Sequence, residues 1–196
     1  MTKHKISNQI VVFIDWGTTN FRAYKYNLKK NKILHKIETN TGIVNLKRKK
    51  QYINVILETL RKFRLKKNQY ILMAGMVGSK KGLYEVPYVS VPITLKKMFL
   101  KISMKKILNI EVRIVPGLFY KKNNFFDVIR GEETLAIGAI SKLKIKKQCY
   151  LCCPGTHSKW ISINNNKFNF FNSYMSGEIY SAISKGTILS QSLEKN

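Results

Sequence analysis

The chain has 196 residues, of which 36 are Lys or Arg and 10 are Asp or Glu, for a formal net charge of +26 at pH 7. At 44% hydrophobic residues it can bury a core, which excludes wholesale disorder, and no apolar run approaches the ~18 residues of a membrane span. The basic N-terminus lacks the apolar core of a secretory signal, and three cysteines, two of them adjacent (Cys152 and Cys153), cannot build a disulfide framework, so a cytoplasmic protein with no membrane partner is expected.

Residues 9–15 form a β-rich apolar run that ends on Asp15, the pattern of a buried strand. Trp16 to Asn20 then reads as a tight turn, and residues 21–26 and 32–40 as two further strands of an antiparallel meander. Residues 49–63 carry Tyr52, Ile53, Ile56, Leu57, Leu60 and Phe63 at the 3.6 period of an amphipathic helix. Residues 70–74 read as a strand closed by Gly75. A loop punctuated by Gly75, Gly78 and Gly82 follows, with Ser79, Lys80, Glu85 and Tyr88 as polar groups suited to a polyhydroxylated anion. Residues 95–108 are expected to be helical and 112–115 to be a strand. Residues 131–143 open on acids and close on lysine, the polarity a helix favours. Such β and α alternation implies parallel pairing through crossovers.

From residue 148 the opening pattern repeats. Residues 149–153 read as an apolar strand with core thiols, followed by Pro154-Gly155-Thr156-His157-Ser158. Strands at 159–163 and 168–171 and a helix starting at Ser176-Gly177-Glu178 come next. The expected boundary is therefore a first domain over residues 1–147 and the start of a second over 148–196.

Lysine accounts for 30 of the 36 basic residues, and Lys, Asn and Ile together for 70 of the 196. Nucleic-acid readers lean on the planar fork of Arg, so the charge reads as compositional drift on a solvated surface. A basic nucleic-acid-binding module remains the alternative from another class. The scarce acids say more. Asp15, beside Gly17, Thr18 and Thr19, suits a hydrated Mg²⁺ next to a phosphate cradled by backbone N–H groups. Gly155, Thr156, His157 and Ser158, with Lys159 as a cation, form a second turn of the same kind, and two such turns facing one another would clamp a phosphate chain. Glu132 and Glu133 after Gly131 serve either as helix-capping acids or as a general base for a substrate hydroxyl. Arg130 suits a carboxylate or phosphate oxygen.

The strings FIDWGTTNFRAY, AGMVGSKKGLYEVPYV, IVPGL, DVIRGEET and CPGTHSKW, in this order, resemble the 2-dehydro-3-deoxygalactonokinase family, of the superfamily that joins sugar kinases to actin. The resemblance runs from about residue 10 to about residue 189. It implies an α/β protein of two ribonuclease-H-like (actin-like ATPase) domains. It also implies ATP and Mg²⁺ as cofactors, and transfer of phosphate to the 6-hydroxyl of 2-dehydro-3-deoxy-D-galactonate in galactonate breakdown. The partners are then the sugar acid and ATP, with no specific nucleic acid. Asp15 matches the Mg²⁺-associated acid. Gly17, Thr18 and Thr19 match the first phosphate loop, and Gly155, Thr156, His157 and Ser158 the second. Glu132, which directly follows the glycine, is favoured over Glu133 as the catalytic carboxylate, and Ser79, Glu85 and Arg130 are expected on the sugar-acid side. The family continues beyond this point with the motif that holds adenosine. A truncated kinase, or a non-catalytic remnant of one, is accordingly expected, with poorly buried faces at Tyr150 to Cys152 and Phe168 to Phe171.

Overall fold

The computed structural model describes residues 10–65, 70–108, 110–145 and 147–188. The expectations for residues 1–9 and for 189–196 lie outside them. The chain runs β1 (Ile10–Trp16), β2 (Phe21–Asn27), β3 (Lys32–Thr39), α1 (Lys49–Lys62), β4 (Tyr70–Gly75), β5 (Val89–Ser90), β6 (Ile93–Thr94) and α2 (Leu95–Phe99). It continues through β7 (Ser103–Ile107), β8 (Ile110–Ile114), β9 (Leu118–Lys122), β10 (Phe125–Ile129), α3 (Glu132–Leu143), β11 (Cys149–Cys153), β12 (Ser158–Asn164), β13 (Lys167–Tyr174) and α4 (Ser176–Gly186). These elements make a mixed α/β protein of two compact units. The first runs through Val89 and resumes at Met98–Gly117; the second takes Ser90–Lys97 and the chain from Leu118.

The first unit holds a six-stranded sheet of order β3-β2-β1-β4-β8-β7. β1, β2 and β3 are the expected antiparallel meander, and β4 and β8 add parallel strands after crossovers. Register explains the core. Ile14 sits opposite Ala23 on one side and Met73 on the other, and Met73 opposite Ile114. One face of four strands therefore becomes a continuous apolar row. Against it lie Tyr52, Ile56 and Leu60 of α1 and Phe63 at its C-terminal end, all buried, with Ile53 and Leu57 partly so. At roughly 1.5–3 kcal/mol per fully buried large apolar side chain, this face outweighs the indifferent helix propensity of Tyr, Ile and Asn in α1.

Residues 95–108 are not one helix. Helix α2 stops at Phe99, and β7 pairs antiparallel with β8 across a turn at Leu108, whose φ is +43°.

In the second unit β11, β12, β13 and β6 form an antiparallel sheet in that order. The meander recurs as expected. The boundary at 147/148 does not: the hairpin β9–β10 and α3 belong to the second unit. The ties are specific, since Ser173 on β13 donates to Asp127 on β10 (2.7 Å) and Lys159 on β12 donates to the Val128 carbonyl (3.0 Å). The core thiols are also corrected. Cys152 is exposed and Cys149 and Cys153 are only half-buried, since β11 is an edge strand of this sheet. Phe168 and Phe171 are fully buried, against expectation, whereas Tyr150 is exposed as expected.

Candidate functional site: two glycine-threonine loops and an acidic helix start

The first loop is built on Trp16. The side chain closes β1, is wholly buried against Phe21 and Tyr52, and donates from Nε1 to the Thr41 carbonyl at 2.9 Å. That bond draws residues 42–44 under the turn. Gly42, Ile43 and Val44 donate their N–H groups to the carbonyls of Thr19, Gly17 and Thr18 at 2.9, 3.1 and 3.1 Å. Every carbonyl of the Gly-Thr-Thr run is thus taken from below. The threonines are exposed, and among the described residues no backbone acceptor takes the N–H of Thr18 or Thr19. Donors turned outward with acceptors spent is the arrangement that attracts an anion. Gly42 is what permits it, because a Cβ there would overlap the Thr19 carbonyl carbon and the Thr18 oxygen.

Asp15 stands beside this loop, half-buried, with Arg22 Nη1 3.5 Å from Oδ2. Across the parallel register Ala74 lies opposite Asp15 and Gly75 opposite Trp16. Gly75 has φ +89°, and a Cβ on it would come within 2.7 Å of the Trp16 carbonyl oxygen and 3.4 Å of Asp15 Oδ1. Beyond it, the Ser79 hydroxyl is buried and donates to the Met76 carbonyl at 2.8 Å, so it closes its own turn. Glu85 and Tyr88 are exposed.

The second loop has its own backing, and the three residues that supply it are consecutive. The Ser176 hydroxyl meets that of Ser158. Gly177 lies against the Gly155 carbonyl, with its Cβ position 3.0 Å from Thr156 Cα. Glu178 donates its N–H to the Thr156 carbonyl at 3.1 Å and accepts from His157 Nε2 at 3.0 Å through Oε2. Gly155, Thr156 and His157 are exposed, and Ser158 is buried. Gly42 and Gly177 each follow the third strand of their meander by three residues. The repeat therefore extends to the glycine that supports each loop.

Also in the second unit, Arg130 and Gly131 lead into α3. Both glutamates turn back on this entry: Glu132 Oε2 accepts the Arg130 N–H at 2.9 Å, and Glu133 Oε2 accepts that of Gly131 at 2.6 Å. Gly131 adopts φ +114°, which favours glycine. The two carboxyls then differ. Glu132 is half-exposed, while Glu133 is fully buried with its pKa pushed up to about 7 by burial, offset in part by its hydrogen bonds. Arg130 is itself buried.

A family model described as 2-keto-3-deoxy-galactonokinase matches residues 15–196. The chain belongs to this family. It is 28% identical over 180 residues to a protein of Rhizobium meliloti (strain 1021) named as a 2-dehydro-3-deoxygalactonokinase, which covers 92% of this chain and 58% of the relative. It is 32% identical over 169 residues to the 2-dehydro-3-deoxygalactonokinase of Escherichia coli (strain K12), covering 86% and 54%. The crystal structure of a protein from Sinorhizobium meliloti, assigned to the same enzyme class, superposes with a TM-score of 0.82 at 28% identity, over 93% of this chain and 59% of that one. The chain therefore spans a little over half the length of the family relatives it matches.

Within this family member, sequence reasoning passed over Gly42, Trp16 as an anchor, and the Ser176-Gly177-Glu178 clasp. The available signal was a glycine at the same distance past each meander. It also misassigned Lys159, which is turned inward rather than toward the second loop's exposed face: its Nζ bonds Val128 and Ser173 and lies 3.7 Å from Asp127.

Proposed function

We propose that the protein is a sugar-acid kinase of the ribonuclease-H-like, actin-related type, acting on the 6-hydroxyl of 2-dehydro-3-deoxy-D-galactonate with ATP as phosphate donor. The observation that carries this reading is the duplicated loop: two exposed Gly-Thr turns, each with a glycine packed beneath it. One such turn is a common hairpin, but two in a repeated meander suit a chain of phosphates. Gly17, Thr18 and Thr19 are the phosphate-binding residues of this reading in the first unit, and Gly155, Thr156 and His157 those in the second, with Ser158 fixing the second loop's exit strand.

Asp15 suits the role of Mg²⁺ holder. Among the described residues no group of three or more His, Cys, Asp or Glu gathers. A single half-buried carboxylate fits a magnesium ion that keeps most of its waters and takes its other ligands from phosphate. When bound, the ion neutralises charge on the transferring phosphate. Glu132 is the general base in this reading. It is the carboxylate with access to solvent, and it lies at a helix start held by its own cap bond. It would accept the proton of the attacking hydroxyl. Glu133 shapes the turn that aims it. Arg130, Ser79 and Glu85 are assigned to the sugar-acid side.

The test is ATP-dependent phosphorylation of 2-dehydro-3-deoxy-D-galactonate by the purified 196-residue chain. Turnover of about 1 s⁻¹ or more supports the kinase reading. Binding of the sugar acid and ATP without turnover supports a non-catalytic family member, and binding of neither overturns both. In an active chain, Glu132→Gln is expected to lower kcat by about 10²–10⁴ with little change in KM.

A further inference from the structure

Lysine 159 has the position of a phosphate-binding cation, directly after the second loop, yet its side chain is mostly buried and is spent inside the second unit. The Nζ donates to the Val128 carbonyl at 3.0 Å and to the Ser173 hydroxyl, and lies 3.7 Å from Asp127 Oδ1. Ser173 in turn donates to Asp127 Oδ1 at 2.7 Å, and the Val128 N–H donates to the same oxygen at 2.7 Å. Three strands meet here: β12 just after the second loop, β13, and β10 just before Arg130, Gly131 and Glu132. The only other Asp of the chain is Asp15.

We propose that Lys159, Ser173 and Asp127 form a positioning knot that fixes the Glu132 carboxylate relative to the second Gly-Thr loop. This rests on the kinase reading above. One end of the knot is one residue from Ser158, and the other is three residues from Arg130. A bridge this short leaves the two segments little freedom to slide past one another. A charged pair shared through one hydroxyl has a defined geometry, which a greasy contact lacks. Reactions that depend on positioning lose rate when a reacting group shifts by about 1 Å.

The experiment uses Lys159→Met, Asp127→Asn and the double variant in the full chain. Each single variant leaves a buried partner charge without its counterpart, so both are expected to unfold at lower urea. The double variant removes both charges together and is expected to regain most of that loss. Its kcat is nonetheless expected to stay at least about tenfold down with KM for ATP nearly unchanged. A phosphate-binding lysine would instead raise KM for ATP. Amide exchange at Arg130 and Gly131 gives a readout that needs no turnover, and it is expected to be faster by about tenfold or more in the double variant. Wild-type kcat together with wild-type exchange in the double variant would overturn the knot. A wild-type chain with no turnover overturns the kinase reading alone, and the exchange result still decides the knot's structural claim.

Discussion

Glu133 shows how a single residue ties chemistry to stability. Its carboxyl is fully buried and its folded pKa of about 7 stands above the unfolded value of 4.5. The native state therefore binds more protons than the unfolded chain between these values. Stability from this group is full below about pH 4.5, falls as pH rises through about 7, and is level above. Glu133→Gln keeps the shape and an oxygen to accept the Gly131 N–H, while the amide end faces the Thr134 hydroxyl that now donates to Oε1, and it cannot ionise. The variant is expected to match the wild type at about pH 5 and to exceed it at about pH 8 by on the order of 2–3 kcal/mol. Urea melts at the two pH values check this, and a pH-independent difference would show that water reaches the carboxylate. The neighbouring Glu132 is only half-buried, and it is the carboxylate proposed above for proton transfer, while the fully buried Glu133 holds the turn.

Among the elements, glycines packed beneath the two loops and a glycine on an open helix face make opposite demands. A methyl group at Gly42 or Gly177 meets backbone that cannot yield, so Gly42→Ala and Gly177→Ala are each expected to destabilise by about 1–3 kcal/mol and to displace the loop above. Gly138 sits exposed inside α3 with nothing within 4 Å of its Cβ position, so Gly138→Ala is expected to stabilise by about 1 kcal/mol. Thermal melts of the three variants test both signs at once. The contrast also explains what was legible in the sequence. The first meander, α1 and the second meander were readable because Val, Ile, Phe and Tyr alternate, or recur every three to four residues, against polar neighbours. The hairpin β7–β8 was not. On β7 Met104 is exposed along with Lys106, while Lys105 is half-buried and reaches to 6.0 Å from the Tyr84 ring. A lysine stem covers apolar surface while its ammonium stays wet, so hydropathy is inverted on that strand and mimics a helix. At the site, Asp15, both loops and the paired glutamates stood out as acids and glycines in a lysine-rich chain. The clasp of Ser176, Gly177 and Glu178 was hidden because it acts across about 20 residues of intervening strand.

For the molecule as a whole, the charge of +26 is a stability term before it is a functional one. Among the described residues, five acids pair with lysine or arginine (Asp15, Glu38, Glu58, Glu111 and Asp127), Glu178 hydrogen-bonds His157, and of these pairs the one at Asp127 is well shielded from solvent. Exposed pairs of this kind contribute little, and the 36 basic residues far outnumber the 10 acids. The remaining repulsion is long-ranged in dilute buffer, where the Debye length is about 30 Å, and is cut to about 8 Å at physiological salt. Salt weakens the few attractive pairs and the many repulsive ones together, and the repulsive ones are in excess. Raising NaCl from about 10 mM to about 150 mM is therefore expected to increase Tm, by about 2–4 °C for each kcal/mol of repulsion relieved. A flat or falling Tm would mean that the lysines are already neutralised by bound anions. The same screening separates the two meanings of the charge. Contact of a lysine surface with duplex DNA fades steeply over this salt range. Anion capture by backbone donors, the role proposed for the Gly-Thr loops, depends on close, oriented N–H groups and is expected to survive it. ATP binding that persists at about 150 mM salt, where DNA binding is lost, would assign the loops rather than the lysines to function.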